Sequence, residues 1–151
     1  MIDERKVPVL TIADIADCIG LPAASLHLAR NSAVEAFRIR PTSGESTRDH
    51  LWSFLDGLRL FVVAAVAEET APRERRDLYD ALTYDLVNAA LAGTQIWAAI
   101  FPAGQGGYIG PNPLEEIKRG FFTARVIDVT ATVNQWKELL FNRMQKKVAG
   151  K

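Results

Sequence analysis

A single cysteine and two histidines are scarce material for metal or redox chemistry. Cys18 alone rules out an intrachain disulfide and a cysteine-rich zinc site, and it reads as a small core residue suited to a reducing compartment. His27 and His50 fall on different expected elements with no cysteine nearby, so no metal is expected. His50 follows Asp49, which reads as a solvated strand edge and not as an acid–base pair. No Ser, Cys or Thr stands in a nucleophile motif, so neither an enzyme nor a cofactor is expected. Net charge is missing too. Lys plus Arg and Asp plus Glu each total 18, so any grip on nucleic acid must come from local arrangement. Long apolar runs are also absent: LRLFVVAAVA and LVNAALAGTQIWAAIFPAG are too short or too interrupted for the ~20 residues of a membrane-spanning helix. MIDERKVPVL opens on charges without the apolar stretch of a signal peptide, so the expectation is a cytoplasmic protein with no membrane partner.

What is present suits a folded chain. Hydrophobic residues make up 48% and charged residues 24% of 151, enough for one core, or for a small module with an appendix that shares its core. Thr11 with Asp14 three residues on forms an approximate capping box, Leu10 sits just before it, and Ile12, Ile15, Ala16 and Ile19 share a face up to the stop at Gly20. Pro22 starts a second short helix through Ser25, Leu26 and Ala29, so the pair reads as a helix-turn-helix. FRIRPTSGESTRDHLW then reads as a two-stranded wing, with Phe37, Ile39 and Leu51 inward, Arg38, Arg40 and Arg48 outward, and a turn at PTSGES. Ser53 with Asp56 caps a helix packed through Phe54, Leu55, Leu58, Phe61 and Val62 and slightly weakened by Gly57.

Further on, Thr70 is expected to cap one helix carrying Pro72 in its first turn and the stripe Leu78, Leu82, Leu86, Ala89 and Ala90, ended by Gly93. The run RERR from Arg73 to Arg76 reads as its solvated start. QIWAAIF and ARVIDVTA read as two strands, joined by a glycine-rich connection in which GQGGYIG lacks both the GxGxxG order and a following Lys-Ser or Lys-Thr, and so reads as a flexible loop. Thr132 is expected to cap a last helix with the stripe Val133, Trp136, Leu140 and Met144, which suits either a dimer interface or closure of the chain's own core.

Thr11, Ile12, Ile15, Ala16, Gly20, Leu21 and Leu26, followed by the wing and then Trp52, Ser53, Asp56 and Leu58, resemble the N-terminal DNA-binding module of the MerR family over about the first half of the chain. The resemblance implies that Ser25, His27 and Arg30 face bases while Arg38, Arg40 and Arg48 meet phosphates, a division that follows from what each contact can read. Ala23, Ala24, Leu28 and Ala29 fill the rest of the second helix, and Trp52 stands where the family has Tyr.

The fold expected is therefore mainly helical α+β: a winged helix-turn-helix over residues 1–69, then residues 70–151 as a helical region with a two-stranded element and a final helix. The function expected is binding of double-stranded DNA by a transcriptional regulator, as a homodimer. The alternative is a protein-interaction or assembly module, for instance of a phage or mobile element, that uses the same fold on a protein partner.

Overall fold

The computed structural model describes residues 3–19, 51–66, 70–100, 107–111 and 125–150. These form five α-helices and a three-stranded antiparallel sheet: α1 (Ile12–Ile19), α2 (Phe54–Ala64), α3 (Pro72–Ala81), α4 (Tyr84–Leu91), β1 (Trp97–Ile100), β2 (Gly107–Gly110), β3 (Arg125–Asp128) and α5 (Val129–Ala149). A 3₁₀ turn at Glu4–Lys6 precedes α1. The second helix and the wing expected from the sequence lie outside the described residues. None of the described helices is long and apolar enough to cross a membrane.

Both expected caps form, the first as a reciprocal box and the second through the serine hydroxyl. Thr11 Oγ1 accepts from the Asp14 amide at 3.1 Å, and Asp14 Oδ2 accepts from the Thr11 amide at 2.9 Å. Ser53 Oγ accepts from the Asp56 amide at 3.1 Å and opens α2. α2 is buried on nearly every side from Phe54 to Ala64, Arg59 included, with Asp56 the exception. It forms the axis of the molecule. α5 crosses it, with Gly57 at the crossing: a Cβ there would stand 2.9 Å from Leu140 Cδ2 and 3.7 Å from Ile15 Cδ1. Glycine at this point lets α1, α2 and α5 meet. The buried cluster runs from Leu10, Ile15 and Trp52 through Leu58 and Leu82 to Val133, Leu140 and Met144, so residues on both sides of position 70 share one core.

Residues 70–93 form two helices where one was expected. Thr83 adopts an extended conformation and its Oγ1 accepts from the Leu86 amide at 3.3 Å, so it starts α4. A Thr side chain that satisfies an open amide competes with helix continuation, and the break leaves Leu82 wholly buried. The start of α3 also differs. Ala71 is the cap residue and Glu74 Oε1 accepts from its amide at 2.9 Å, while Thr70 donates back to the Val66 carbonyl. RERR is not uniformly solvated: Arg73 is exposed, but Arg75 is buried and donates to the Thr70 carbonyl. Gly93 ends α4 as expected, at φ 102°.

The sheet has order β2-β1-β3, one strand more than expected. The additional strand lies within GQGGYIG, read from sequence as a flexible loop. Its glycine serves close approach: a Cβ on Gly107 would lie 2.8 Å from the Ala99 carbonyl oxygen. Ala98 pairs with Ile109 on one side and Ile127 on the other, setting these three side chains on one face, and Ala98 and Ile127 are buried in the core. β3 runs directly into α5. The cap is Asp128, four residues before the expected Thr132; its Oδ1 accepts from the Ala131 amide at 2.9 Å and from Gln95 Nε2 at 2.8 Å. Thr130 Oγ1 braces the same corner, accepting from the Ile96 amide and donating to the Thr94 carbonyl.

Candidate functional site

The six side chains that the sequence assigns to DNA, Ser25, His27, Arg30, Arg38, Arg40 and Arg48, lie outside the described residues. What the structure positions is the frame around them. Leu10, immediately before α1, pairs with Trp52, immediately before the Ser53 cap of α2, in an antiparallel bridge. The Trp52 amide donates to the Leu10 carbonyl at 2.7 Å, and the Trp52 carbonyl accepts from the amides of Leu10 and Val9 at 2.9 and 3.1 Å. Both ends of residues 11–51 are thereby held side by side. Leu10 is 0% and Trp52 1% exposed, so the bridge belongs to the core.

α1 is fixed at its other side by charge. Asp14, 4% exposed, meets Arg143 Nε at 3.1 Å and Lys147 Nζ at 3.1 Å, both from the last turns of α5. Arg143 Nη2 also reaches Asp17 at 3.4 Å. Burial pushes the Asp14 carboxyl upward. Hydrogen bonds from the Thr11 amide, Lys147, the Thr11 hydroxyl and Arg143 outweigh it and hold the carboxyl below its ordinary value. Cys18, one turn on, is half-buried against the same helix, its Sγ 3.8 Å from the Leu139 carbonyl, and burial raises its thiol. It borders the core and is not sealed inside it.

Behind Trp52 lies a polar hub joining α2, α3 and α4. Arg59, 6% exposed, donates to Asp56 Oδ1 at 2.9 Å and to the Tyr79 carbonyl at 2.7 Å. Its guanidinium stacks 4.0 Å from the Tyr79 ring centroid, and the Tyr84 hydroxyl donates to Asp56. Burial, then the negative charge of Asp56, raises both tyrosine hydroxyls, Tyr79 strongly. They stay protonated and serve as fixed parts of the frame. Trp52 packs edge-on against Tyr79 with ring centroids 6.3 Å apart, and its Nε1 has no hydrogen-bond partner among the described residues. Beyond Asp56, nothing in the sequence signals this hub, since Arg59 and Tyr79 look like ordinary surface residues in their own helices.

Val133, Leu140 and Met144, expected as a dimer stripe or core closure, are each 0% exposed within the single chain, and Trp136 packs partly buried against the same cluster. These side chains are occupied inside the chain itself. An open groove of 340 Å³ between α2, α4 and α5 is lined by Phe54, Leu91, Lys137, Glu138, Phe141 and Asn142. Phe54 and Phe141 make its floor, ring edge to ring face at 5.4 Å. Its charged rim residues, Lys137 and Glu138, are neighbours on α5 and leave the helix about 100° apart, so they do not converge on one ligand. Among the described residues no group of three His, Cys, Asp or Glu side chains is placed to hold a metal ion.

No protein-family model, curated protein or solved structure matches the chain.

Proposed function

We propose that this chain is a DNA-binding protein, most simply a MerR-like transcriptional regulator with a winged helix-turn-helix, in which Ser25, His27 and Arg30 meet base edges and Arg38, Arg40 and Arg48 meet phosphates. The observation that supports the reading is the Leu10–Trp52 pairing beside the Thr11 and Ser53 helix caps. It sets the two ends of residues 11–51 side by side, and that stretch of sequence contains all six of the proposed contacts. The overall charge is neutral and lends DNA binding no support, so phosphate binding has to come from the local cluster of arginines.

The test is retardation of duplex DNA at low and moderate salt. The unaltered chain retards mixed-sequence duplex, with an apparent affinity that falls as salt rises. Replacing Arg38, Arg40 and Arg48 together by Ala removes three phosphate contacts, abolishes retardation at moderate salt and, in whatever binding persists at low salt, flattens the log–log salt slope by about three units. Absence of any retardation by the unaltered chain at low salt refutes the reading.

A further inference from the structure

We draw no further inference here: the strongest candidate, the open groove between α2, α4 and α5 floored by Phe54 and Phe141, carries nothing, because nothing in the structure shows what covers it.

Discussion

Gly57→Ala tests the packing at the centre of the molecule, and two opposed effects set its outcome. Alanine in place of glycine within a helix is favourable by about 1 kcal/mol. The new Cβ, however, would stand 2.9 Å from Leu140 Cδ2, closer than such atoms approach, and 3.7 Å from Ile15 Cδ1, an ordinary contact. Leu140 is 0% exposed, so its methyl has no solvent to move into. Overpacking of this kind costs roughly 1–3 kcal/mol. The net expectation is a loss of about 1 kcal/mol, or roughly 2–4 °C in Tm for a chain of this size. The stronger test is a change of sign. Leu140→Ala alone costs about 2–5 kcal/mol by opening a cavity, but it also removes the methyl that the new Cβ strikes. In that background Gly57→Ala is expected to stabilise by up to about 1 kcal/mol. Urea unfolding of the four proteins measures both steps. Equal destabilisation by Gly57→Ala in the two backgrounds refutes the argument that Leu140 is the obstacle.

The polar hub and the Asp14 ion pairs make further demands. Arg59→Ala leaves Asp56 without its buried cation and is expected to cost about 3 kcal/mol in urea unfolding; Arg59→Lys recovers only part, because an ammonium replaces neither the fork to Asp56 and the Tyr79 carbonyl nor the flat stack on the Tyr79 ring. Trp52→Phe loses packing area but also removes an indole N–H with no partner among the described residues, so its stability should stay within about 1 kcal/mol of the parent. For Asp14 the folded state depresses the carboxyl. Its stabilising contribution is therefore complete above the unfolded value of about 3.9 and is lost as pH falls through the lower folded value. The stability gap between the parent and Asp14→Asn, measured by urea midpoint, should be constant from pH 7 to pH 5 and close as the pH drops below about 4. A gap that widens on acidification contradicts the sign.

The parts of the fold that could be read from sequence are those that short stretches of chain decide. Thr11 with Asp14, Ser53 with Asp56, and Gly93 each act on amides or carbonyls within a few residues, so their roles follow from spacing. Trp97–Ile100 and Arg125–Asp128 were legible as apolar runs. The strand at Gly107–Gly110 was not, because Gly107 serves close approach to Ala99, and nothing nearby in sequence distinguishes that use from a loose turn. The division of residues 72–91 at Thr83 was hidden by an apolar stripe that keeps helical spacing across the break. Thr132 reads as the cap in place of Asp128 because a strand running straight into a helix leaves no turn to mark the boundary. The contacts that frame the candidate site are longer in range still. Asp14 and Arg143 are 129 residues apart, and neither side chain carries a local sign of the other. Arg59 likewise looks like a solvent-facing residue of an amphipathic helix until α3 and α4 close over it.

The bridge between Leu10 and Trp52 also bears on how such a chain can change over generations. Because the two ends are joined by main-chain hydrogen bonds, the seam depends little on which side chains lie between them. Lengthening an excursion whose ends are already pinned is cheap: doubling its length adds only about 0.6 kcal/mol of closure entropy. The pairing therefore depends on Leu10 and Trp52 meeting and not on the number of residues that separate them in sequence.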